Sequence, residues 1–309
     1  MLSIATMPVR KLHPRGWVGA RPQADQTRAC GQLARAFLFA GAMALASVGV
    51  TGTASAGKIE RTFAPNPAAS DVRVDHSVWD GLLKTYIKPD AHGLNRVDYK
   101  AFKASGAKAL DGYLAALQRV DVTKLGRAEQ FAFWVNLYNA KTIAIVLSKY
   151  PVKSIKKINL GGSLFSAVTG GPWDAKVVKV NGVKLSLNDI EHKILRPLFR
   201  DPRAHYAVNC ASVGCPNLST SAYTGKTLSS QLDQGAKTYI NSSRGVAIRG
   251  GKITTSSIYK WFNKDFGGNE AGVLKHLLKY ADADLRSKIR SINAIDGYDY
   301  DWSLNDVAN

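Results

Sequence analysis

Between residues 189 and 216 the chain gathers Glu191, His192, His205, Asn209, Cys210 and Cys215, the densest group of reactive side chains in the sequence. A thiol attacks a carbonyl carbon only as thiolate, so it needs a neighbour that takes its proton, and imidazole does this near neutral pH. Cys210 with a histidine therefore reads as a nucleophile and base for hydrolysis or acyl transfer at an amide or ester. If Ala204–Cys210 (AHYAVNC) is a regular strand, His205 and Cys210 face opposite sides. That favours His192 as the base, with His205 or Glu191 assisting. Three other readings use the same residues: Cys210 as a small buried hydrophobe, a Cys210–Cys215 disulfide closing Ala211–Gly214, or a zinc site of two cysteines and two histidines. The disulfide competes directly with the nucleophile, because an oxidised thiol attacks nothing. Cys-x₄-Cys is looser than zinc-finger spacing, and no GxGxxG or GxxxxGK[ST] pattern stands at a strand-to-helix junction, so neither metal nor cofactor is expected.

These residues need a scaffold, and apolar periodicity outlines it. Val78, Trp79, Leu82, Leu83 and Tyr86 recur at helical spacing before a stop at Lys88–Pro89, and Leu110, Tyr113, Leu114 and Leu117 mark a second helix. Arg127–Lys149 is the longest helical pattern and is apolar on more than one face, which predicts a central helix ending at Tyr150–Pro151. Asn136 and Asn139 on it must find partners, either in a catalytic loop or among buried backbone groups. Val178 and Val180 face Val183 and Leu185 across Asn181–Gly182, a hairpin signal because both turn residues tolerate positive φ. Ser186 with Asp189 reads as a helix cap. Further helices are expected over Leu228–Ile240, Ile258–Phe262, Glu270–Tyr280 and Ala283–Ile292, and a second hairpin turns at Gly250–Gly251. Helices and hairpins alternate without a βαβ rhythm. The expectation is an α+β, mostly helical single domain with short antiparallel strands.

The chain has 309 residues, 45% of them hydrophobic, and only three cysteines, so it can bury a core and is not a disulfide-stapled scaffold. Arg10, Lys11, Arg15, Arg21, Arg28 and Arg35 precede the apolar run 36–50 and then Thr53–Ala56. A basic leader, a short apolar stretch and small residues are the order of a secretory signal, shorter than a membrane span. Residues 1–56 are thus expected to be removed after Ala56, residues 57–74 to be a flexible leader and 75–309 the domain. The mature form is read as periplasmic or secreted, without a transmembrane span. It keeps Cys210 and Cys215, loses Cys30, and stays basic, as the whole chain is at +19. Lys149, Lys153, Lys156 and Lys157, with Arg196, Arg200 and Arg203, offer a face for phosphate, anionic polysaccharide or lipid headgroups. Nucleic acid is not expected, since the aromatics lie on helical core faces instead of interleaving with the basic residues.

Five segments in order, Trp134–Ala140 (WVNLYNA), Leu185–His192 (LSLNDIEH), Asp201–Ser212 (DPRAHYAVNCAS), Cys215–Pro216 with Leu218, and Tyr300–Asn305 (YDWSLN), resemble the motifs of the domain-of-unknown-function 547 family. The resemblance implies that Glu191, His192, His205 and Cys210 are motif positions, and it supplies no activity. Plant members often carry serine at the position that resembles Cys215, which singles out Cys210. Asp301 or Asn305 is then a candidate third member orienting an imidazole, while Tyr300 and Trp302 would anchor the tail. The reading reached is an exported envelope protein acting on a peptide, lipid or polysaccharide through Cys210. The alternative is a noncatalytic envelope protein that binds an anionic polymer.

Overall fold

In the computed structural model, which describes residues 51–65, 70–161 and 171–308, the chain is packed around the helix at Arg127–Lys149. Before it come α1 (Thr51–Thr62), α2 (Ser77–Tyr86) and an antiparallel pair, β1 (Ile87–Pro89) with β2 (Asn95–Val97). A π-helical stretch, Phe102–Gly106, leads into α3 (Ala107–Leu117), and a short turn into α4 (Arg127–Lys149). The expected Asn181–Gly182 hairpin joins β3 (Val178–Val180) to β4 (Val183–Leu185), with positive φ at both turn residues. Ser186 and Asp189 then form a reciprocal capping box. The segment that follows, Ile190–Phe199, is wound as a π-helix around Pro197, which has no N–H to donate to an α-helical ladder. Beyond it lie α5 (Leu228–Ile240), the hairpin β5 (Val246–Arg249) and β6 (Lys252–Ser256), α6 (Ile258–Trp261), α7 (Glu270–Tyr280) and α8 (Ala283–Ile292). β7 (Gly297–Asp299) adds parallel to β6, pairing Thr255 with Tyr298. The fold is α+β, as expected.

α4 is buried on every face, from Phe131 and Trp134 through Tyr138 to Val146. Its polar residues act as clamps. Buried Glu129 accepts N–H groups from Val74 (3.0 Å) and Gly225 (2.9 Å), and Asn136 holds both the N–H and the carbonyl of Tyr223. Two hydrophobic cores result: one surrounds α4, and a second packs Tyr206, Tyr239, Tyr259, Phe266 and Leu277 between α5 and α7. Among the described residues no helix is long and apolar enough to cross a membrane.

Two expectations fail here. The basic leader and the apolar run 36–50 lie outside the described residues, but the segment read as a flexible leader, 57–74, is packed where it is described. Ile59 and Phe63 are buried in the first core, Phe63 meets Trp134 edge-on at 4.9 Å, and Ser70 Oγ donates to the Lys124 carbonyl at 2.7 Å. Two well-placed apolar residues suffice to dock a short helix, and so short a stretch shows no period. The supposed strand at Ala204–Cys210 is instead a 3₁₀ turn, Pro202–Tyr206, followed by irregular chain. Asp201 caps the turn by accepting the Arg203 N–H, and Pro202 presets its first φ.

Candidate functional site

A single pocket of about 220 Å³ is lined by Glu191, His192, His205 and Cys210, the four residues singled out in the sequence. It lies between the two cores, with Tyr138 and Val208 from one and Ile258, Phe262 and Tyr300 from the other. The opposite-faces argument does not hold, because it assumed a strand that is absent.

His205 is almost fully buried and stacks on Phe262 at 4.4 Å between centroids. Its Nε2 donates to Asp265 Oδ2 at 2.7 Å, and Arg196 Nε donates to the same oxygen at 2.5 Å. Burial alone would raise the Asp265 carboxyl; the bonds from His205 and Arg196 outweigh it and hold the group well below the usual carboxylate range. A carboxylate there fixes the His205 proton on Nε2, so a neutral ring keeps its lone pair on Nδ1. His192 has the opposite arrangement. Arg196 Nη1 lies 3.1 Å from its Nδ1, and a guanidinium has no lone pair, so Nδ1 must accept. The lone pair of His192 is thus already engaged. Glu191 Oε2 accepts from the Tyr138 hydroxyl at 3.1 Å. Burial, then the Glu191 charge, push that phenol well above its ordinary range, so it remains a donor.

Cys210 and Cys215 are joined as a disulfide with their Cα atoms 6.4 Å apart, the rival that the sequence reading had weighed against the nucleophile. Among the described residues no imidazole is hydrogen-bonded to either sulfur. With its sulfurs joined to each other, the pair does not form the zinc set with two histidines. The loop is held from α4: Asn139 donates to the Ala207 carbonyl and accepts the Asn209 N–H, both at 2.8 Å. Asn209 in turn accepts the Ala211 N–H at 2.9 Å and donates to the Pro216 carbonyl at 2.7 Å. These bonds hold Ala211 at φ 61°, a left-handed conformation that costs an alanine roughly 1–2 kcal/mol.

The remaining walls are aromatic and came from parts of the chain not assigned to the site. Trp173, Trp261, Phe262, Tyr300 and Trp302 line the pocket, with Trp302 4.7 Å from Tyr300 and 5.8 Å from Trp261. Tyr300 and Trp302 do belong to an anchored tail, whose bridges run Val97–Asp306 and Ser212–Leu304, but they also face the pocket. Asp265, rather than Asp301 or Asn305, is the residue bonded to an imidazole. Asp301 accepts the Ser303 N–H, and Asn305 accepts the Tyr99 hydroxyl at 2.8 Å. No periodicity marks Asp265; it sits on a short 3₁₀ turn, Asn263–Phe266. The basic face is also smaller than expected, since Arg196 pairs with Asp265 and Arg203 with Asp201 and Asp233.

Asp189, at the entry to the segment carrying Glu191 and His192, predicts the acid behaviour. Burial works to raise it, but Lys176, the Ser186 backbone and Lys193 together lower it to about 2. A group more acidic folded than unfolded stabilises fully above its unfolded value near 4 and loses that contribution as pH falls toward about 2. Melting followed by circular dichroism from pH 5 to pH 2 should therefore show a steep loss of stability. In Asp189→Asn that slope should be shallower by on the order of 2 kcal/mol over the same range. An unchanged slope would remove Asp189 from the account.

Comparison with curated proteins and with solved structures returns no match to the chain. The family model described as "Protein of unknown function, DUF547" matches residues 122–240. That stretch holds α4, Glu191, His192, His205 and both cysteines, and stops short of Asp265 and the Tyr300–Asn305 motif. Over residues 122–240, and over that stretch alone, the chain is similar to the DUF547 family.

Proposed function

We propose that the pocket hydrolyses or transfers an acyl group from an amide or ester, with Cys210 as nucleophile once it is released from Cys215. His205 is the base that takes the thiol proton and later returns it to the leaving group. Asp265 fixes its tautomer, as a buried carboxylate does in hydrolase triads. The observation that carries this reading is the His205–Asp265 pair, with no hydrogen bond to Nδ1 among the described residues, in the same pocket as Cys210. It replaces His192 as the favoured base, because Arg196 occupies the His192 lone pair. The apolar aromatic walls suit the body of an acyl group or peptide side chain, with few polar groups to orient it. The basic leader and apolar run of residues 1–56 support export to the cell envelope, as does a disulfide, which persists in oxidising compartments. The substrate is then an envelope peptide, lipid or acylated polysaccharide.

The Cys210–Cys215 bond favours a second reading, a noncatalytic envelope protein whose aromatic pocket only binds. Cys215→Ser separates the two, since it leaves Cys210 as a permanent thiol. In that variant iodoacetamide should alkylate Cys210 rapidly and saturably at neutral pH, and ester or amide substrates should be turned over. Adding His205→Ala should slow both sharply. Alkylation no faster than that of a free thiol, indifferent to His205, would leave only the binding reading.

A further inference from the structure

The two sulfurs of the bridge are not equivalent. Cys210 is partly exposed at the pocket, whereas Cys215 is only 4% exposed. Cys215 Sγ accepts the backbone N–H of Cys210 at 3.0 Å and lies 3.0 Å from the Tyr300 hydroxyl, which is 3.2 Å from Cys210 Sγ; Ser212 Oγ is 3.5 Å from Cys210 Sγ. The Tyr300 hydroxyl accepts from Ser212 Oγ at 3.0 Å, which leaves its own hydrogen for sulfur. Burial raises the Tyr300 phenol well above its ordinary range, so the hydrogen stays in place. The exposed sulfur is open to attack; the buried one accepts a backbone N–H besides lying slightly nearer the phenol, so it is the better placed to receive negative charge.

We infer that Cys210–Cys215 is an exchange-active disulfide whose partner is a low-molecular-weight thiol admitted by the aromatic pocket. The incoming thiolate attacks Cys210 Sγ and forms a new sulfur–sulfur bond there. The electron pair of the old bond leaves on Cys215, where the Cys210 N–H and the Tyr300 O–H stabilise the thiolate. A second thiolate attacks the incoming sulfur of the mixed disulfide and releases Cys210 as thiolate. Two thiols are oxidised to one small disulfide, the protein bridge is reduced to two cysteines, and the protons follow the thiolates according to pH. A pocket of about 220 Å³, walled by Trp173, Trp261 and Trp302, suits a small thiol better than a protein redox site. The exchange does not rest on acyl transfer, but it supplies the free Cys210 that acyl transfer needs.

The test is reduction of the native full chain by 2-mercaptoethanol, quenched by acid and read by intact and peptide mass. The transient adduct should map to Cys210 with Cys215 free. Cys215→Ser treated with the oxidised form of the same reagent should hold a stable adduct at Cys210. Tyr300→Phe, folded by circular dichroism, should slow reduction on the order of tenfold, as expected when a hydrogen bond to a developing anion is removed. An adduct on Cys215, reduction only after denaturant unfolds the chain, or an unchanged rate in Tyr300→Phe would each overturn the inference. The wild-type adduct map decides even if the variant does not fold. No acyl substrate is present, so failure here is distinct from failure of Cys215→Ser to turn over esters or amides.

Discussion

Alanine at His205 is expected to lower turnover by the Cys215→Ser protein by a factor of about 10² to 10⁴, the range for losing a positioned general base. The loss should appear in kcat, because the ring acts on the proton in flight and covers little of the pocket wall. Asp265→Asn should reproduce part of it. The amide still accepts from one neighbour, but it no longer imposes Nε2–H on His205 and leaves Arg196 without its carboxylate. His192→Ala should cost much less, since its Nδ1 already accepts from Arg196. The measurement is steady-state hydrolysis of an activated ester and a peptide amide across the three variants. A larger loss at His192 than at His205 would reverse the assignment of the base.

Asn139→Ala is expected to destabilise the fold by about 2–6 kcal/mol, from two buried hydrogen bonds lost at once at 1–3 kcal/mol each. Both partners, the Ala207 carbonyl and the Asn209 N–H, are enclosed and have no strand neighbour to replace the amide. The same bonds hold the start of the Cys210 loop against α4, so Cys210 should also lose selectivity for small reagents over bulky ones. Asn139→Asp should do little better, because a carboxylate cannot donate to Ala207. Urea unfolding gives the stability, and a midpoint shift worth less than about 0.5 kcal/mol would place Asn139 with ordinary surface positions.

Much of the scaffold was legible because its signals are local. Asn181–Gly182 dictates a tight turn, Ser186 with Asp189 dictates a cap, and the two-sided apolar pattern of Arg127–Lys149 places that helix at the centre. The four site residues were legible as a cluster, and they do share one pocket. Their relations were not, because these depend on contacts far apart in sequence. Asp265 reaches His205 across 60 positions from a turn with no period, and Trp173, Trp261 and Trp302 converge from three separate segments. Ala204–Cys210 resembles a buried strand in residue types. Its backbone is nevertheless held by local turn bonds and by the side chain of Asn139, a solution that alternation of apolar residues cannot reveal.

The anchored tail sets an order on the birth of the site. Tyr300 and Trp302 supply part of its wall, and Ser303 and Asp301 accept the N–H groups of Val213 and Gly214, the inner residues of the cysteine loop. A growing polypeptide that has emerged only as far as the DUF547 segment therefore carries the sulfurs and both imidazoles without the surface that encloses them. Whatever chemistry the groove performs begins after residues beyond 300 have left the ribosome and threaded back beside Val97.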